Sequence, residues 1–108
     1  MTFEELRSAV KAMPCKIRSD AVEFYFEAVF AKADLPALIA SLETYFGPPH
    51  KVAEQEPSPE ADKYSGRYGG AEMNQTLYVR TKETGADVAL LWPWTGGECA
   101  TLKLVRGQ

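Results

Sequence analysis

The stretch 86-ADVALLWPWTGGECATLKL-104 decides how this chain folds. Two apolar runs flank Thr95-Gly96-Gly97, so the stretch reads as a β-hairpin whose loop length sets the facing residues. A three-residue loop Thr95-Gly96-Gly97 places Leu90 opposite Leu102, Val88 opposite Leu104 and Trp92 opposite Ala100, and gives Gly97 the left-handed position that ends such a loop. A two-residue turn at Gly96-Gly97 instead sets Leu90 against Lys103 and Trp92 against Thr101. A one-residue slip inverts the faces, so burial selects the three-residue loop. Trp92-Pro93-Trp94 is then the corner of a hairpin. Pro93 sits next to the loop, where a missing ladder donor costs least. Trp92 joins the core face, and Trp94 lies at the rim, able to cap the core or face a partner.

Working outward, residues 75–82 read as a strand joined to 86–93 by a turn at Thr84-Gly85. That turn sets Val79 opposite Leu90, Leu77 opposite Trp92 and Thr81 opposite Val88. It also pairs Lys82 with Asp87 on the other face, a favourable cross-strand contact. The segment 21-AVEFYFEAVF-30 alternates: Val22, Phe24, Phe26, Ala28 and Phe30 point one way, and Glu23, Tyr25 and Glu27 the other, joined by Val29. A helix would scatter the three phenylalanines, whereas a strand collects them.

Two helices are expected. Over 2–13, Thr2 and Glu5 stand at the capping-box spacing and Phe3, Leu6, Val10 and Met13 share a face, with Pro14 as the stop. Over 35–46, Asp34 is the expected N-cap, Pro36 fits the first turn, Leu35, Leu38, Ile39, Leu42 and Phe46 form the apolar stripe, and Gly47-Pro48-Pro49 ends it. Residues 50–75 read as a long loop, with a short strand at 50–54 and a stiff Pro/Glu connection near 56–60.

The expected architecture is α+β, in the order α-β-α-β-β-β: a four-stranded, mostly antiparallel sheet with two helices on one face, forming a single domain over 1–108 with a long mobile loop at 50–75. The inner face would hold Phe24, Phe26, Leu77, Val79, Val88, Leu90, Trp92, Leu102 and Leu104. The outer face would be mixed, with an apolar centre at Tyr25, Tyr78 and Leu91 that a second copy of the chain could cover.

Composition narrows the function. The net charge is −3, from 12 Lys+Arg against 15 Asp+Glu, without the basic excess that a nucleic-acid module carries. No run approaches the roughly 18 apolar residues of a membrane span, and the first residues lack the pattern of a secretory signal. Cys15 and Cys99 make no metal-ligand or CxxC spacing and read as reduced thiols in the cytoplasm.

No catalytic constellation emerges. His50 is the single histidine, so any triad or Cys–His pair would need it, and an exposed loop residue is its plainer reading. One histidine and two distant cysteines fall short of a metal site, and the glycines precede strands rather than opening a helix as phosphate loops do. Glu23 and Glu27 share a strand face, which a solvated surface explains. No cofactor is expected.

The stretch 64-YSGRYGG-70 is the most suggestive loop. Tyr64, Arg67 and Tyr68 are residue types enriched at binding hot spots, and the glycines let backbone approach a ligand. Two readings follow. One is a small non-catalytic binding or interaction module in the cytoplasm, with a protein partner or itself, homodimeric through Tyr25, Tyr78 and Leu91. The other is a small-molecule site or small enzyme between the 64–70 loop and the 92–98 hairpin, lined by Tyr64, Arg67, Tyr68, His50 and Trp94, with Arg67 clamping an anionic group.

Overall fold

The computed structural model describes residues 1–52, 74–83 and 85–107. The chain runs through α1 (Phe3–Lys11), β1 (Lys16–Val22), β2 (Tyr25–Ala31), a single 3-10 turn (Lys32–Asp34), α2 (Leu35–Phe46), β3 (Thr76–Lys82), β4 (Gly85–Pro93) and β5 (Cys99–Val105). The strands form one antiparallel sheet in the order β1-β2-β5-β4-β3. The fold is α+β, with five strands among the described residues where four were expected.

The added strand is β1. It lies on the sheet edge and buries none of its residues fully, so no apolar alternation marks it in the sequence. Glu23 and Phe24 form the turn into β2, which breaks the expected 21–30 strand. Val22 and Phe24 are therefore 41% and 45% exposed rather than in the core. Two register shifts interrupt the β1–β2 ladder. Irregularities of this kind blunt an edge against pairing with another chain. Arg7 secures the hairpin from α1, donating to the Glu23 carbonyl and bridging to Asp20 at 2.5 Å. Lys11 reaches the same carboxylate at 2.5 Å.

The helices form much as expected. Thr2 and Glu5 complete the capping box of α1, and Phe3, Leu6 and Val10 are buried. Asp34 precedes α2 but makes no side-chain cap hydrogen bond. Gly47, at φ 80°, ends α2 in a conformation that side chains rarely adopt. Both helices cover one face of the sheet. Leu6, Val10, Leu38, Leu42 and Phe46 pack there on Phe26, Ala28 and Phe30 of β2, Leu102 and Leu104 of β5, Ala89 and Leu91 of β4, and Tyr78 of β3.

That list corrects the hairpin register. Leu90 stands opposite Lys103, Leu91 opposite Leu102 and Trp92 opposite Thr101. The Trp94 amide still bonds the Cys99 carbonyl, which leaves a four-residue loop Thr95-Gly96-Gly97-Glu98. Gly96 and Gly97 both have positive φ, as that tight loop requires. β3 pairs with β4 two residues away from the expected alignment, with Leu77 opposite Leu90 and Val79 opposite Val88. Leu77, Val79, Val88, Leu90 and Trp92 consequently lie on the face away from the helices, while Tyr78 and Leu91 lie beneath them.

The physical reason is that the sheet is dry on both faces at its centre. Leu77, Val88 and Leu90 form a second buried cluster, with Val79 and Trp92 packed against it. Consecutive residues Asp87 to Leu91 are all buried, so burial favours neither parity of β4. On the outer edge of β3, Lys51 forms an isolated bridge with Leu77. Of the short strand expected over 50–54 and the long loop expected over 50–75, the described residues hold this bridge, and residues 53–73 lie outside the described residues. The Lys51 ammonium, 3% exposed, donates to the Gln75 and Val52 carbonyls.

Candidate anion-binding groove

The helices do not cover the whole sheet. Where β3 turns into β4, strand residues on the helix side emerge beyond the last turn of α2 and the first turn of α1. There an open groove of about 610 Å³ is lined by Thr2, Glu4, Tyr45, Arg80, Lys82, Arg106 and Gly107, among others. Its volume falls in the range of small-ligand sites.

At the groove's base Asp87 is 0% exposed. A buried carboxylate is costly unless it is paired and hydrogen-bonded. Three donors meet it: the Tyr45 hydroxyl at Oδ2, and the Lys82 ammonium at 2.6 Å and the Gly107 amide at 2.9 Å, both at Oδ1. The Lys82–Asp87 contact expected from the sequence is present, although diagonal rather than directly across the strands, since Lys82 pairs with Gly85, and on the helix side rather than the outer face. Burial, reinforced by the bond to Asp87, pushes the Tyr45 phenol well above its ordinary range. Tyr45 is thus a fixed proton donor and not a base.

Arg80 lies across the Tyr45 ring, 4.4 Å from its centroid, and donates to the Tyr45 carbonyl at 3.1 Å. The ring contact and the hydrogen bond orient its side chain, and the residue is exposed to solvent. Among the described residues, no carboxylate pairs with it. Arg106 pairs with Glu4 at 2.5 Å and with Glu23 at 3.6 Å, and both carboxylates are solvent-exposed. The backbone bond within the first turn, and then Arg106, hold the Glu4 carboxyl below its usual range. The N-terminus of α1 is already capped by Thr2 and Glu5, so the side chains supply the free donors of the groove.

Of the residues expected to bind, His50 and Trp94 lie away from this groove. His50 is exposed on the outer edge of β3, its amide bonded to the Leu77 carbonyl. Trp94 is 45% exposed and its indole donates to Thr101 Oγ1 at 2.8 Å, so it folds back over its own hairpin. Tyr64, Arg67 and Tyr68 lie outside the described residues. Of the expected interface residues, Tyr25 sits half-buried on the face away from the helices, its hydroxyl on Glu27 at 2.6 Å. Tyr78 and Leu91 are 2% and 7% exposed in the core beneath α2. The three share no surface, because the hairpin register puts the last two on the opposite face from Tyr25.

Burial raises the Cys15 thiol, which disfavours the reactive thiolate. Among the described residues, no three His, Cys, Asp or Glu side chains gather to hold a metal, and no helix is long and apolar enough to cross a membrane. The groove residues Tyr45, Arg80 and Arg106 escaped the reading of the sequence. They come from α2, β3 and the segment after β5, and only the Lys82–Asp87 pairing signalled that this corner is charged. No protein-family model, curated protein or solved structure matches the chain.

Proposed function

We propose that this chain is a small non-catalytic binding module whose ligand occupies the groove between α1, the end of α2 and the β3–β4 hairpin. One observation carries the reading: Arg80, Lys82 and Arg106 converge on one cavity in a chain whose net charge is −3. An acidic protein that lines one concave place with three cations against one exposed carboxylate, Glu4, favours a negatively charged occupant there. The fixed donor Tyr45 and the fully engaged Asp87 argue for binding rather than proton transfer. A reducing compartment such as the cytoplasm belongs to the same proposal and is supported by two unpaired thiols, Cys15 and Cys99.

A metabolite library screened by ligand-detected NMR against the full chain tests it. Hits should move the amide signals of Tyr45, Arg80, Lys82 and Gly107. A library in which no compound moves them overturns the reading.

A further inference from the structure

Resting on that reading, we propose that the groove selects a phosphate-class oxyanion, held mainly by Arg80 and Arg106 with Lys82 as a third donor. The guanidinium of Arg80 is oriented by the Tyr45 ring and carbonyl and has no carboxylate partner among the described residues. A planar fork that is already oriented loses little freedom on binding. Among the described residues, the carboxylates that hold the Arg106 guanidinium are both exposed, Glu4 at 64% and Glu23 at 89%. Solvent-exposed pairs of that kind are weak, so an anionic ligand can compete for the guanidinium. Lys82 stays on the buried Asp87 but is 34% exposed, and an ammonium has three donors.

The geometry favours phosphate over carboxylate. A carboxylate offers two oxygens and a single charge to two arginines and a lysine, so its acceptors are shared more thinly and one charge faces three. A phosphate group presents three terminal oxygens and up to two charges, which two forks and an ammonium can share. The groove of about 610 Å³ exceeds the phosphate itself and leaves room for the rest of a phosphate ester.

The full chain is titrated with inorganic phosphate, phenyl phosphate and acetate, following the amide signals of Arg80, Lys82 and Gly107 by NMR. Both phosphates should shift these signals, and acetate should bind at least tenfold more weakly. Tighter binding of phenyl phosphate than of the free ion identifies an ester as the ligand, and equal binding identifies the free ion; either supports the phosphate site. Arg80→Gln should weaken phosphate at least tenfold, Arg80→Lys should restore only part of it, and Lys16→Gln, an exposed cation on β1 outside the groove, should change nothing. A dispersed spectrum for each variant verifies its fold. Acetate binding as tightly as phosphate, or Arg80→Gln without effect, overturns the phosphate assignment. If uncharged compounds still occupy the groove in that case, the binding-module reading survives it.

Discussion

The Tyr45 hydroxyl, in the last turn of α2, donates to the buried Asp87 carboxylate of β4, 42 residues further along the chain. With Lys82 and the Gly107 amide on the same carboxylate, one acidic group ties α2, the β3–β4 hairpin and the segment after β5 together. The groove keeps its shape because this knot fixes three of its walls.

Tyr45→Phe removes one donor from a carboxylate that water cannot reach. The expected cost is about 1–3 kcal/mol, which lowers the melting temperature by about 4–8 °C per kcal/mol in a domain of this size. The phenol is raised in the folded state by burial and by Asp87. Its contribution is therefore complete below its ordinary value of 10.0 and is lost as the pH rises through the folded value. Urea unfolding of both proteins should show a constant difference up to about pH 9 that shrinks above pH 10. The ring beneath Arg80 remains, so phosphate should still shift the Arg80 amide.

Asp20 receives Lys11 and Arg7, and their hydrogen bonds hold its carboxyl below the ordinary 3.8. A depressed carboxyl stabilises the fold above its unfolded value, and this contribution disappears as the pH falls through the folded value. Asp20→Asn should be less stable than the parent at neutral pH, and the difference should vanish on acidification below about pH 3.8. Thermal unfolding across pH 2–7 measures it. A difference that persists unchanged to pH 2 would count against the ion pairs as its source.

A methyl group at Gly107 would run into the backbone of Ala86. Gly107→Ala should lift the last segment away and withdraw the Gly107 amide from Asp87. Hydrogen exchange should then accelerate at residues 106 and 107 while β2 and β5 keep their protection. Arg106 should lose its place in the groove, and phosphate binding should weaken with it.

Leu90 and Leu91 are neighbours on opposite faces of β4, and both are buried. Leu90→Ala and Leu91→Ala should each cost about 2–5 kcal/mol in urea unfolding. A sheet dry on one face would spare one of the two. Phe24→Ser, in the exposed β1–β2 turn, should change stability by no more than about 0.5 kcal/mol.

The sequence by itself determined both helices, the capping box, the strand character of Phe26–Phe30 and of the last third, and which side of β2 and β5 faces the helices. These follow from local rules: a helical or alternating period, a cap three residues from its partner, a glycine or proline at a stop. The hairpin register was decided elsewhere. Where Val88 to Leu91 are apolar without interruption, either parity buries a comparable surface, and the choice depends on what lies above and below the sheet. Strand β1 was hidden for the opposite reason, since an edge strand without a buried face carries no apolar signal. The groove belongs wholly to tertiary structure. Tyr45, Arg80, Asp87 and Arg106 come from four separate segments, and no spacing along the chain encodes their meeting; it arises because α2 ends over the β3–β4 hairpin and a buried charge there requires every donor within reach.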